Sequence, residues 1–164
     1  MKPAQFDYLR AASIDEAIAH LTTYGDRARI MAGGQTLMPM LNFRLLEPEL
    51  IIDITGIAAL GHIRVNGPWI EIGAAVTQSS LLDWTDLSRE LPLVAAALPW
   101  VGHFQTRNRG TVCGSIAHAD PSSELPLALA VLGGEVDLVS QRGKRTLKAS
   151  EFQLGLLTTA RAPD

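Results

Sequence analysis

A glycine pair in the first third of the chain could bind an anion. Ala32-Gly33-Gly34-Gln35-Thr36 follows a short apolar segment and precedes another that begins at Leu37. If these segments are a strand and a helix, N–H groups at the helix start have no intrahelical partner and can donate to a phosphate. The glycines would allow close approach, and Thr36 would add a hydroxyl donor. The alternative is a strand-to-helix turn in which glycine only supplies a positive φ, and the local pattern alone favours that turn.

A second loop, from Arg109 to Pro121, is rich in small and hydroxyl side chains. Gly110, Thr111, Gly114 and Ser115 could form a second backbone surface that faces the same anion, which would then be the pyrophosphate of a dinucleotide. Glu124 then stands at the start of the next predicted helix. Neither loop contains G-x-G-x-x-G or the Gly-Lys-Ser/Thr end of a P-loop, so the residues indicate neither a Rossmann site nor a nucleoside triphosphatase.

Other reactive side chains lie around this second loop. His118 and Asp120 could be an acid/base pair, but with no nucleophile placed beside them the pattern favours a role in shaping the loop or a place beside a bound cofactor. Cys113 could be a redox thiol, although its small and apolar neighbours favour an inert residue. Arg107 and Arg109 could steer an anionic cofactor or hold the loop by hydrogen bonds, and the sequence leaves both open.

The elements that must position these loops begin with a βαβ-like unit. A capping box at Ser13 and Glu16 predicts a helix, and Gly25 is expected to end it as an αL C-cap. The predicted strands are residues 6–10, 28–31 and 50–54, and a second helix is predicted over residues 37–45.

From about residue 60 the pattern changes to mixed helix and strand. Asn66-Gly67-Pro68 predicts a hairpin turn between strands 63–65 and 69–72. Further predicted elements are a helix start at 77–80, a helical run at 91–98, a core segment at 127–132, and strands at 135–139 and 146–148. We expect an α+β fold with one subdomain over residues 1–57 and a second, incomplete one over residues 58–164.

Composition excludes several classes of function. The 164 residues are 47% hydrophobic and 19% charged, as expected of a folded chain, and the net charge of −3 lacks the basic excess that nucleic-acid binding requires. One cysteine excludes an internal disulfide and a four-cysteine iron–sulfur cluster within this chain. The start has no signal-peptide core, and the apolar segments 91–102 and 125–134 are too short to span a membrane. We expect a soluble, cytoplasmic protein.

Three segments together resemble a known family. Residues 32–36, 107–115 and 116–126 are similar, in order and spacing, to the FAD-binding medium subunit of molybdenum hydroxylases, which include carbon monoxide dehydrogenase and xanthine dehydrogenase-like enzymes. The resemblance covers essentially the whole chain. It implies a vanillyl-alcohol-oxidase-type (PCMH-type) FAD-binding fold of two subdomains with the cofactor between them. Family members normally continue beyond the position of Asp164, so the chain resembles a form truncated at its C-terminus.

The resemblance also implies roles for individual residues. Main-chain donors of residues 32–36 and 111–115 would bind the pyrophosphate, Glu124 would bind ribityl or ribose hydroxyls, and Val101 would approach the isoalloxazine ring. The implied cofactor-binding residues are Ala32, Gly33, Gly34, Gln35, Thr36, Val101, Gly110, Thr111, Gly114, Ser115 and Glu124. No catalytic residue and no metal ligand is expected in this chain.

The implied activity is that of an oxidoreductase subunit. A large subunit with molybdopterin would oxidise the substrate, a small subunit with 2Fe-2S clusters would pass the electrons on, and FAD on this chain would deliver them to an acceptor. The alternative is a flavin-free, truncated homologue that acts only as a scaffold for its partner subunits.

Overall fold

The computed structural model describes residues 2–164, and it begins with a three-stranded parallel sheet. Its strands are β1 (Asp7–Arg10), β2 (Ala28–Met31) and β3 (Leu50–Asp53), in the order β1-β3-β2. Ile51 of the central strand pairs with Tyr8 on one side and Arg29 on the other. All four residues of β3 are buried because strands cover both of its edges. The predicted βαβ-like unit is confirmed.

Helix α1 (Ile14–Tyr24) connects β1 to β2. Ser13 Oγ accepts a hydrogen bond from the N–H of Glu16 at 3.1 Å, as predicted, whereas the Glu16 carboxylate reaches back to the N–H of Ala12 at 2.7 Å. Gly25 ends the helix, but the predicted αL conformation is wrong: φ is 53° and ψ is −128°. The reason is that the chain enters a 3₁₀ turn at Gly25 that leads directly into β2.

Helix α2 (Leu37–Asn42) connects β2 to β3 and is shorter than the predicted 37–45. Arg44 adopts a left-handed φ of 55°, and the N–H of Leu45 donates back to the Met40 carbonyl at 2.9 Å. Phe43 and Leu45 are 63% and 69% exposed, so no core contact favours another helical turn.

The predicted hairpin forms from β4 (Ile63–Asn66) and β5 (Trp69–Ile72). Asn66 belongs to the strand, and the loop consists of Gly67 and Pro68. Gly67 has a φ of 58°, while the Pro68 ring fixes a negative φ. Asn66-Gly67 therefore does not form a turn with two positive φ values, and glycine takes the first loop position instead.

The remaining elements are short. The helices are α3 (Gln78–Leu82), α4 (Leu87–Glu90), α5 (Pro92–Ala97), α6 (Phe104–Arg107), α7 (Val112–His118), α8 (Glu124–Val131) and α9 (Ala149–Phe152). The strands are β6 (Glu135–Ser140), β7 (Gly143–Lys148), β8 (Gln153–Gly155) and β9 (Thr158–Thr159), paired as two antiparallel hairpins. Strand β7 begins three residues before the predicted 146–148 because its pairing with β6 continues to the turn. No helix among residues 2–164 is long and apolar enough to cross a membrane.

The buried side chains form two clusters. One surrounds the parallel sheet and includes Ala17, Ile52 and Ile57. The other lies among the helices of the second part of the chain and includes Leu81 and Leu98. The loop after β2 begins at Ala32, which packs against the first cluster. The loop before α7 leads to Val112, which belongs to the second cluster.

Helix α8 contradicts the expected core segment at 127–132. Leu127 and Val131 are 64% and 67% exposed, whereas Leu125 and Ala128 are buried. The sequence of α8 is apolar on every side, and its packing against α5 and α7 buries only one face. Apolar character alone therefore did not identify the buried positions.

Candidate functional site

The first loop, residues 32–36, lies at the carboxyl edge of the parallel sheet. It follows β2, and the last residue of the neighbouring strand β3, Asp53, lies at the same edge together with residues 54 and 55. An open cleft of about 550 Å³ lies at this edge, and its lining includes Ala32, Gly33, Gly34, Gln35, Asp53, Thr55, Met38 and Arg109. Ligands of open α/β sheets bind outside the carboxyl ends of the strands, which makes this cleft the candidate site.

The first loop presents free backbone donors. Within residues 2–164, the N–H groups of Gly33, Gly34, Gln35 and Thr36 donate to no backbone or side-chain acceptor. Gly34 has a φ of 68°, a conformation that favours glycine. The Gln35 side-chain amide donates to the Gly33 carbonyl at 3.1 Å, within the loop itself. Consecutive free N–H groups at a cleft are a common arrangement for binding an anion.

The start of the second loop, residues 109–115, contacts the first loop through glycine. A Cβ on Gly33 would lie 2.0 Å from the Arg109 carbonyl oxygen and 2.7 Å from Gly110 Cα. Gly110 is itself fixed, because its N–H donates to the Thr106 carbonyl at 2.6 Å and its carbonyl accepts from the N–H of Gln78 at 2.8 Å. The two loops thus meet backbone to backbone, with no room for a side chain at Gly33.

Most N–H groups of the second loop are used within the protein. Thr111 Oγ1 accepts from the N–H of Gly114 at 3.0 Å, and the Thr111 carbonyl accepts from that of Ser115 at 3.2 Å. Val112 donates to the Val76 carbonyl at 3.1 Å. The second loop therefore seats the first loop and starts α7, and it leaves fewer donors free than the first loop does.

Four of the eleven predicted site residues line the cleft, and seven lie outside its lining: Thr36, Val101, Gly110, Thr111, Gly114, Ser115 and Glu124. Glu124 is the first residue of α8, and α8 is joined to α7 by the hydroxyls of Ser123 and Ser115 at 2.9 Å. Val101 is buried in the bend before α6.

The structure separates the two arginines whose roles the sequence left open. The Arg107 side chain donates to the carbonyls of Val101 and Gly102 at 2.9 and 3.1 Å, and so holds the bend at Gly102, whose φ is 52°. Arg109 instead lines the cleft and is exposed, and a guanidinium carries a positive charge that attracts anions.

Asp53 is a cleft residue that sequence reasoning missed. Burial opposes its ionisation, but hydrogen bonds from the Tyr8 hydroxyl and from the N–H and hydroxyl of Thr55 outweigh burial and hold its pKa below the usual value. Both carboxylate oxygens are therefore occupied by protein donors. The only sequence signal is an acidic residue at the end of an otherwise apolar strand.

Cys113 and Asp120 take structural positions. Cys113 Sγ lies 3.4 Å from the Ile72 carbonyl, and burial raises the pKa of the thiol to about 11, in agreement with an inert residue. The Asp120 carboxylate accepts from the N–H and hydroxyl of Ser122 at 2.9 and 2.7 Å, and these bonds lower its pKa. Asp120 is thus bonded within the loop, which is the loop-shaping role that the sequence favoured.

The chemistry of the cleft suits a diphosphate group. The four free N–H donors of the first loop and one arginine offer positive potential, and Gly33 lets the second loop pack directly against the first. Both carboxylate oxygens of Asp53 already accept hydrogen bonds from the protein, so Asp53 needs no donor on the ligand. The residues present therefore fit a dinucleotide cofactor bound through its pyrophosphate.

Comparison with known proteins shows which family the chain resembles. Residues 4–164 match the family described as the FAD binding domain in molybdopterin dehydrogenase. The chain is 42% identical over 152 residues to the 6-hydroxypseudooxynicotine dehydrogenase complex subunit alpha of Paenarthrobacter nicotinovorans, covering 93% of this chain and 51% of that protein. It is 38% identical over 158 residues to the caffeine dehydrogenase subunit beta of Pseudomonas sp. (strain CBB1), covering 96% and 54%.

The fold is also shared with a solved structure. Carbon monoxide dehydrogenase from Hydrogenophaga pseudoflava superposes with a TM-score of 0.96 at 36% identity, over 99% of this chain and 57% of that chain. The α+β, PCMH-type FAD-binding fold is therefore confirmed. The chain spans about half the length of the curated relatives it matches. It belongs to the family of FAD binding domains of molybdopterin dehydrogenases.

Proposed function

We propose that this chain binds FAD with the pyrophosphate in the cleft at the carboxyl edge of the parallel sheet. The observation that carries the proposal is the row of free N–H groups at Gly33, Gly34, Gln35 and Thr36. A pyrophosphate carries only acceptor oxygens, so it can occupy these donors without a lysine at the contact. Arg109 adds a positive charge beside them.

The other residues of the proposed site follow the family resemblance. Ala32, Gly110, Thr111, Gly114 and Ser115 complete the two loops around the pyrophosphate. Glu124 accepts hydrogen bonds from ribityl or ribose hydroxyls, and Val101 lies beside the isoalloxazine ring. We also propose the division into subdomains 1–57 and 58–164, a division supported by the two separate buried clusters.

We further propose that the whole protein is the electron-transferring medium subunit of a molybdenum hydroxylase. When bound, FAD supplies one- and two-electron redox chemistry, and the protein supplies binding and orientation. Electrons would come from a small subunit with 2Fe-2S clusters, after oxidation of the substrate on a large molybdopterin subunit. Relatives named as dehydrogenase subunits support this assignment.

Titration of the purified chain with FAD tests the proposal. Binding should quench flavin fluorescence to saturation at one FAD per chain. Gly33→Asp should abolish binding, because the added side chain meets the Arg109 carbonyl and places a negative charge beside the pyrophosphate. Gly155→Asp is the matched control, since a Cβ there meets nothing within 4 Å. A folded wild-type chain that ignores FAD would overturn the proposal and favour the flavin-free scaffold.

A further inference from the structure

The side chain of Gln78 is buried where the two loops meet. Gln78 is the first residue of α3, and its backbone N–H holds the Gly110 carbonyl. Its side chain is only 5% exposed, and its Cδ lies 3.6 Å from the point that a Cβ on Gly110 would occupy. A carboxamide is an unusual group to bury at a contact made otherwise of backbone.

The Gln78 side-chain oxygen has no hydrogen-bond partner. Oε1 is shielded from solvent and accepts from no group in residues 2–164. A buried polar atom of this kind costs free energy unless a partner is supplied in another state of the protein.

Gln35 of the first loop is positioned to supply that partner. Its Cγ lies 3.5 Å from the same point beside Gly110, so the two side chains flank one glycine. Its amide presently bonds to the Gly33 carbonyl, two residues away, and the side chain is exposed in the cleft. Because a carboxamide carries both a donor and an acceptor, Gln35 can satisfy Gln78 in either orientation of the Gln78 amide.

We propose that Gln78 is a positioning residue for the bound cofactor. When the cleft is filled, the Gln35 carboxamide turns from the Gly33 carbonyl to Gln78 and fixes the first loop against the second. This inference rests on the proposed FAD binding. The Gln78 side chain should therefore destabilise the FAD-free chain and strengthen its binding of FAD. Removing the polar end of this side chain should raise the melting temperature of the free chain and weaken FAD binding.

Gln78→Met tests this inference in the full 164-residue chain, because methionine keeps the length of the side chain and removes its polar end. The melting temperature of the FAD-free variant should rise by at least about 2 °C. Its FAD dissociation constant, from flavin fluorescence, should increase roughly 2- to 12-fold, as expected for the loss of one hydrogen bond. Gln141→Met, in the exposed turn between β6 and β7, should change neither value.

A double-mutant cycle identifies the partner. Gln35→Met should weaken FAD binding by itself. The Gln35→Met/Gln78→Met chain should bind FAD no more weakly than the single variant with the lower affinity. Additive effects would overturn the inference. A Gln78→Met chain that melts at a lower temperature, fails to fold, or binds FAD as the wild type does would overturn it as well. If the wild-type chain itself binds no FAD, the proposed function fails and the inference fails with it.

Discussion

Replacing Gly33 with alanine isolates the contact between the two loops, because it adds one methyl group and no charge. That methyl would lie 2.0 Å from the Arg109 carbonyl oxygen, whereas ordinary contact begins at 3.4 Å. Arg109 cannot yield freely, since the next residue, Gly110, is held by Thr106 and Gln78. The first loop must therefore move away from the second.

The size of the effect follows from that displacement. Forcing a methyl group into a packed contact costs about 1–3 kcal/mol. In the free chain the loops can separate and release this strain, but binding one pyrophosphate requires them to close again. The FAD dissociation constant of Gly33→Ala should thus increase about 5- to 150-fold, while the free chain should stay folded.

Flavin fluorescence titration of wild-type and variant chains measures this change, and circular dichroism verifies folding. Gly61→Ala is the control, because its methyl would meet the Ala58 carbonyl oxygen at an ordinary 3.6 Å. If Gly33→Ala binds FAD as tightly as the wild type, the contact between the loops does not organise the site and the reasoning is refuted.

Three other predictions concern the remaining side chains. Leu125→Ala should lower the free energy of unfolding in urea by about 2–5 kcal/mol, whereas Leu127→Ala on the exposed face of α8 should change it by less than about 0.5 kcal/mol; equal losses would contradict the burial pattern. Iodoacetamide at pH 8 should label Cys113 much more slowly in the folded than in the urea-unfolded chain, because its pKa is about 11 in the folded state, and equal rates would refute this. The pKa of Asp53 is lowered in the folded state, so its stabilising effect is present above the unfolded pKa and is lost as pH falls through the native pKa. The difference in the free energy of unfolding between wild type and Asp53→Asn should therefore shrink in acid. A difference that stays constant with pH would contradict this.

Local signals predicted the parallel sheet and its loops because several agreed at the same positions. A capping box and short apolar strands on both sides of it indicated the unit that contains the first loop. Two signals that stood alone predicted the element but not its details. Apolar character in 127–132 indicated burial but not which face of α8 is buried, and Asn66-Gly67 indicated a turn but not the constraint that Pro68 adds.

Contacts between distant segments lay beyond sequence reasoning. Asp53 shows only its place at the end of an apolar strand, and Gln78 shows no pattern. Each acquires its environment from a residue far along the chain: Tyr8 for Asp53 and Gly110 for Gln78. The family resemblance indicated both loops, since it carries information on tertiary contacts. It did not indicate that most N–H groups of the second loop donate hydrogen bonds to acceptors within the protein.

The glycine pair shows why the two interpretations of the first loop are not exclusive. Gly34 has a φ of 68° and meets only side-chain atoms at 3.4 Å or more, so it is glycine for its conformation. Gly33 lacks that positive φ but has no room for a Cβ, so it is glycine for close approach, to the protein backbone of Arg109 rather than to a ligand. Gly34 thus allows the turn, and its neighbour Gly33 allows the contact between the two loops of the proposed cofactor site. Alanine at Gly34 should strain the turn itself, while alanine at Gly33 should separate the loops and leave the turn intact.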